Sequence, residues 1–229
     1  MKINSIILLI ILSLCGSGTR AQSGEGVAAS NKKNNNLTIV YDINTSSKTK
    51  NAGIEETYNG GIKTIMLQNG QARVRLVSLM RIQSLYFFTK DTALTKVLMT
   101  KESGKKKYKY QLSASDWKQH NAKYDSITHS LLDETKSVAG YPCKKAIITI
   151  PAENKEVIVY YSPELKPLDD HIEPLFAGIP GLVLEYMHKT SDGNISFTAS
   201  KISFGPIDET LLQEPASGYI LKSYDAPVR

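Results

Sequence analysis

From Leu37 onward, apolar and polar residues alternate in short runs separated by Gly, Asn, Asp and Pro, the period-two signature of half-buried strands. Leu37, Ile39, Tyr41 and Ile43 line one face of a first strand. Ile62 to Gln68 and Gln71 to Val77 flank Asn69-Gly70, the strongest short hairpin signal, because both residues accept positive φ. In the second arm Arg73 and Arg75 share one face, and Ala72, Val74 and Leu76 share the other. Further pairs are read at Gln83 to Thr89 with Ala93 to Met99, turning at Lys90-Asp91-Thr92, and at Lys96 to Thr100 with Lys106 to Leu112, across Glu102-Ser103-Gly104. Ser113 to Tyr124 breaks the alternation; Ser115 is placed to cap a short helix through Trp117 to Ala122. Strand signals resume at Ser126 to Leu131, Lys144 to Ile150, Glu156 to Tyr161, Leu182 to His188 and Ile195 to Phe204. A change of parity between Ala199 and Ile202 predicts a bulge. Asp208 to Leu212 begins a further short helix, and Pro215 to Arg229 is a surface-crossing tail.

Two stretches depart from this pattern and organise the rest. In Val157 to Tyr161 both faces are apolar, which predicts cover on both sides of the sheet. The natural cover is Ser162 to Ile179: Pro163, Pro167, Pro174 and Pro180 exclude a long helix, yet Leu165, Leu168, Ile172, Leu175 and Phe176 supply apolar material to tuck inward. Ile179-Pro180-Gly181-Leu182 then reads as a type II turn that sets the start of the next strand. The expectation is a mainly β domain, a curled antiparallel sheet with a short helix and an irregular apolar plug.

Three segments here resemble the GLPGLI family of small exported bacterial proteins. Gly178-Ile179-Pro180-Gly181-Leu182-Val183 is similar to its signature, Ala139-Gly140-Tyr141-Pro142-Cys143-Lys144-Lys145-Ala146 to its Gly-Tyr-x-Cys-x-Lys-Ala segment, and Tyr160-Tyr161-Ser162-Pro163-Glu164-Leu165 to its Trp-Tyr-Thr-Pro-Glu-Ile segment, with Tyr160 in place of Trp. The resemblance covers roughly Leu37 to Phe204. A related family is similar to the LolA-type half-barrel of lipoprotein carriers. The resemblance implies a half-barrel, with Val159, Tyr161, Phe176, Ile179, Leu182 and Leu184 as residues for an apolar ligand: an acyl chain, a lipoprotein or an apolar protein segment.

The first residues add a destination. Lys2, the apolar run Ile6 to Leu14 and the small polar stretch to Ala21 read as a secretory signal cleaved after Ala21. The run is shorter than the ~20 residues of a permanent span. Cys15 lies where a lipoprotein would carry its lipid, but Leu14 is bulkier than that site accepts. The chain then divides into residues 1–21, a leader at 22–36 and one β-rich domain at 37–229, exported to the periplasm or the outer-membrane periphery of a Gram-negative bacterium. Peripheral association with the outer membrane is part of that expectation.

Charge and candidate chemistry change this picture little. The chain has 28 basic and 22 acidic residues, and losing Lys2 and Arg20 with the signal leaves it mildly basic. Lys105-Lys106-Lys107 with Tyr108 and Tyr110 reads as a solvated strand rather than a nucleic-acid surface. Cys143, the one cysteine after the signal, excludes an internal disulfide; it reads as a buried core thiol, with a nucleophile as the alternative. Asp169-Asp170-His171-Ile172-Glu173 gathers three carboxylates about an imidazole, so a hydrolase or metal-dependent enzyme stays open as a reading, though no metal-ligand or catalytic spacing is matched. The preferred expectation is a non-enzymatic protein with no cofactor, no metal and no catalytic residue. A structural envelope component with a filled core is the other alternative.

Overall fold

The computed structural model describes residues 36–47, 57–189 and 193–224. The expected signal segment, and the leader up to residue 35, lie outside them. Among the described residues twelve strands form one sheet: β1 (Leu37–Ser47), β2 (Gly61–Gln68), β3 (Gln71–Val77), β4 (Ile82–Lys90), β5 (Ala93–Ser103), β6 (Lys106–Ser113), β7 (Thr128–Val138), β8 (Tyr141–Ile150), β9 (Lys155–Ser162), β10 (Leu182–Lys189), β11 (Gly193–Ser203) and β12 (Ile220–Lys222). Their order is β12-β6-β5-β4-β3-β2-β1-β11-β10-β9-β8-β7, an open sheet that is antiparallel at every pairing except β12 with β6.

Local chemistry accounts for most of these joints. Asn69 and Gly70 take φ of 52° and 78° and join β2 to β3 in a two-residue turn, and Asp91 and Thr92 do the same for β4 and β5 at 49° and 69°. The latter turn is one residue tighter than the spacing of Lys90-Asp91-Thr92 predicts. The bulge expected near Ala199 is present: the β1–β11 register skips Ser200. The helix, α1 (Ala114–His120), starts earlier than expected, because Ser113 rather than Ser115 caps it. Ser113 Oγ accepts from Asp116 N while the Asp116 carboxylate accepts from Ser113 N, a reciprocal capping box. The strand read at Ser126 to Leu131 runs on as β7 to Val138, through a register break between Leu132 and Thr135.

The sheet is strongly curled. β2 and β10 are three inter-strand steps apart, about 14 Å in a flat sheet, yet Lys63 Nζ donates to Tyr186 Oη at 3.0 Å. Curling encloses one continuous core, with Ile39, Tyr41, Ile43 and Ile65 in the middle, Phe87, Val97 and Leu112 on one arm, and Ala146, Ile148 and Val159 on the other. Covering on the two faces of β9 differs from expectation. Val157, Val159 and Tyr161 are buried in the core, whereas Ile158 and Tyr160 are half-buried under side chains of neighbouring strands rather than under a second layer. Tyr160 donates to Glu134 of β7, and Lys136 lies 4.0 Å above its ring. On the opposite arm, the segment after β11 crosses the convex face: Leu212 is buried there, and β12 adds to the sheet edge.

Candidate functional site

The irregular segment between β9 and β10 fills the concave side. Leu165, Ile172, Leu175 and Ile179 are buried along it, and Leu165 exchanges backbone bonds with both flanking strands, donating to Ser162 O and accepting from Leu182 N. The type II turn is displaced from its expected place. Ala177 at φ −54°, ψ 131° and Gly178 at φ +81° are its two central residues, and Ile179 N closes it onto Phe176 O. Pro180 instead centres a tighter turn in which Gly181 N donates to Ile179 O. Gly181 is needed for closeness rather than for φ: a Cβ there would lie 2.3 Å from Ser162 O.

Val159, Tyr161, Ile179, Leu182 and Leu184, the expected apolar-ligand residues, are buried in the core, and Phe176 is half-buried with its ring edge-on to Tyr186 at 5.0 Å. Leu184 is the extra residue of a bulge against β9. Next to that bulge, the Val183 carbonyl accepts a 2.7 Å bond from the buried Tyr41 hydroxyl. Phe176 and Leu182 border a void of about 10 Å³, roughly one water in size. None of the six lines either of the two larger cavities.

The first of these, about 530 Å³, lies between α1, residues 121–127 and the plug. Leu94, Trp117, Tyr124, Ile127, Pro174 and Ala177 give it apolar walls; Lys118, Asp125, His129 and His171 stand among them. Trp117 is fixed by an edge-on contact with Phe87 at 5.4 Å and by its indole N–H, which donates to His171 O at 2.8 Å. A volume of this size suits a small molecule, and an apolar lining with a few polar groups is the usual make-up of such a site.

The acid cluster of the plug does not converge. His171 packs towards Phe87, and burial pushes its imidazole below the usual range against the pull of Asp169 and Asp170. Glu173 points away, to Lys63. Among the described residues no three His, Cys, Asp or Glu side chains are grouped to hold a metal ion. Cys143 is buried, and burial pushes its thiol up to about 11, away from the thiolate that a nucleophile requires.

Lys63 was not singled out by the pattern of the chain, and it is the most unusual side chain in the interior. Its ammonium is 2.6 Å from the Glu173 carboxylate, and the rings of Tyr41, Tyr186 and Phe197 surround it at 5.1 to 5.8 Å. Tyr186 and Phe197 stack at 4.4 Å. Together with Val74, Leu76, Gln83, Leu85 and Arg81 this group borders the second cavity, of about 290 Å³. A signal for it existed: Lys63 shares the parity of Ile65, whose face is the core face.

Fold and site thus define an open, curled β-sheet with an internal plug that borders two cavities. No family model matches the chain, and no curated protein matches it in sequence. Among solved structures it is similar to PNGF-II in two crystal forms, at 15% and 16% identity with TM-scores of 0.47 and 0.48, over 83% and 84% of this chain but 31% and 32% of that one. The chain therefore spans about a third of PNGF-II. It is also similar to the Mycobacterium tuberculosis lipoprotein LppX, at 10% identity and a TM-score of 0.35, over 81% of this chain and 99% of that one. At such scores these likenesses say nothing of what this chain does.

Proposed function

We propose that this chain is an exported, non-enzymatic binding module that takes an apolar ligand, an acyl chain or an apolar protein segment of a lipid or lipoprotein partner, in the cleft between α1 and the plug. One observation carries the reading: a cavity of about 530 Å³ with Leu94, Trp117, Tyr124, Ile127, Pro174 and Ala177 in its walls. An apolar group entering such a cleft leaves water at a gain of about 25 cal/mol per Å² of surface buried. A second reading, a structural envelope component filled by its own side chains, draws on the burial of Val159, Tyr161, Ile179, Leu182 and Leu184.

Trp117 is the only tryptophan, so its emission reports on the cleft directly. Titration of the mature chain with glycerol monolaurate, a neutral acyl probe, is expected to give a saturable change that Ala177→Phe abolishes by filling the cleft. An unchanged emission, together with native mass spectra free of bound lipid, overturns the binding reading in favour of the structural one. Export is tested separately: a mature chain beginning at Gln22 supports it, and a lipid-modified Cys15 contradicts the soluble form.

A further inference from the structure

The second cavity has two unlike ends. Cross-strand pairing places Lys63, Leu76 and Gln83 in one row, and Ile65, Val74 and Leu85 in the next row inward. The row nearer the β3–β4 turn is therefore largely polar and the deeper row wholly apolar. Arg81, from that turn, stands exposed at the rim with its guanidinium 5.8 Å from the Tyr58 ring centre. The charged groups bordering the cavity are Lys63, Glu173 and Arg81. Lys63 is neutralised by Glu173, whereas Arg81 has no carboxylate partner among the described residues. Among the described residues, one guanidinium is thus left over at the mouth of a cavity whose deeper row is apolar.

We infer that this cavity is a second binding site, separate from the cleft beside α1, and that its ligand is an amphipathic anion. The apolar chain sits against Val74 and Leu85, and a carboxylate is held at the mouth by Arg81 and Gln83. A guanidinium presents paired donors in the geometry a carboxylate accepts, and Gln83 adds an amide donor. The stacked Tyr186 and Phe197 form a stiff wall, and the Lys63–Glu173 pair closes the polar side with no net charge. About 290 Å³ lies at the lower edge of small-molecule sites, ~300–1,000 Å³, which restricts the ligand to a medium-length chain.

Calorimetric titration of the mature chain with decanoate, decanol and decyltrimethylammonium tests the assignment. Decanoate is expected to bind at least about tenfold more tightly than decanol, and decyltrimethylammonium not at all. Arg81→Glu, at an exposed position, is expected to weaken decanoate at least about tenfold, Arg81→Lys to restore part of it, and Leu85→Trp to abolish it in a chain whose circular dichroism is unchanged. Equal affinity for the three probes overturns the inference, as does decanoate binding that survives Arg81→Glu. Loss of decanoate binding in Ala177→Phe also overturns it, by assigning the anion to the first cleft. The monolaurate signal at Trp117 is independent of Arg81, so failure at one cavity is distinguishable from failure at the other.

Discussion

Lys63 of β2 and Glu173 of the plug meet at 2.6 Å, with side chains only 8% and 14% exposed. This pair joins the irregular segment to the far side of the curled sheet, and each charge depends on the other for compensation. Lys63→Ala or Glu173→Ala is expected to destabilise the fold by about 3–5 kcal/mol, because the remaining charge is stranded. Lys63→Met combined with Glu173→Leu is expected to be near neutral. Urea unfolding of the two single variants and the double variant measures this, and additive losses would contradict it.

Gly181→Ala and Gly178→Ala separate two reasons for a glycine. At Gly181 the new methyl would meet Ser162 O at 2.3 Å, a backbone atom that cannot swing aside. At Gly178 the cost is a left-handed φ of +81°, about 1–2 kcal/mol, plus a contact with the His129 ring, which can move. Gly181→Ala is therefore expected to cost about 3 kcal/mol and more than Gly178→Ala, with thermal melts giving the order. A milder Gly181→Ala would show that the turn yields.

Local chemistry was legible where one residue decides the geometry. Asn69-Gly70 marked its hairpin, the parity change after Ala199 marked the β11 bulge, and the prolines from Pro163 to Pro180 marked a non-helical plug with inward Leu165, Ile172 and Leu175. What escaped depends on distant partners. β7 continues past Leu131 with Asp133, Glu134 and Lys136 largely outward, so no alternation announced it. The short parallel β12 has no local signal, because only β6 makes Ile220 to Lys222 a strand. Val159, Tyr161, Leu182 and Leu184 of β9 and β10 and Phe176 and Ile179 of the plug pack on one another, and the two cavities are bordered by other residues, from distant strands and from α1. Lys63 lies on the core parity of Ile65, but the groups that compensate its charge, Tyr186 and Glu173, are far away in the chain and meet it only through the curl.

His188 ties stability to pH. Burial lowers its imidazole to about 4, with Lys63 adding in the same direction. The folded value lies below the unfolded ~6.5, so the native state binds fewer protons and the contribution is complete above about pH 6.5. It is lost as pH falls from there to about 4, by up to roughly 3 kcal/mol. Glu153, held near 2 by Lys123 and Lys155, acts in the same direction but only below its own unfolded carboxylate range. Urea unfolding at pH 7 and pH 4.5 is expected to show the loss in the parent chain and a smaller one in His188→Gln. Equal losses in both would remove His188 from the account.

The segment after β11 is expected to act as a structural strap rather than a dispensable tail. Gln68 binds it in both directions, donating from Nε2 to Ile207 O at 3.3 Å and accepting from Ile207 N at 2.8 Å. Arg73 donates to Leu211 O at 2.9 Å, Tyr219 donates to Glu102, and Leu212 is buried against the convex face. That face carries Tyr86, Leu98 and Thr100, which are buried although they point away from the main core. Removing the strap therefore uncovers apolar surface on strands whose other face supports both cavities. Leu212→Ala is expected to cost about 2–5 kcal/mol as a large-to-small change at a buried site, and Gln68→Ala about 1–3 kcal/mol, since Ile207 loses both partners. Hydrogen exchange discriminates the origin of the loss: amides of β4 to β6 should lose protection before those of β8 to β10. Uniform loss across the sheet, or none in either variant, would show that the strap is not an independent support of that arm.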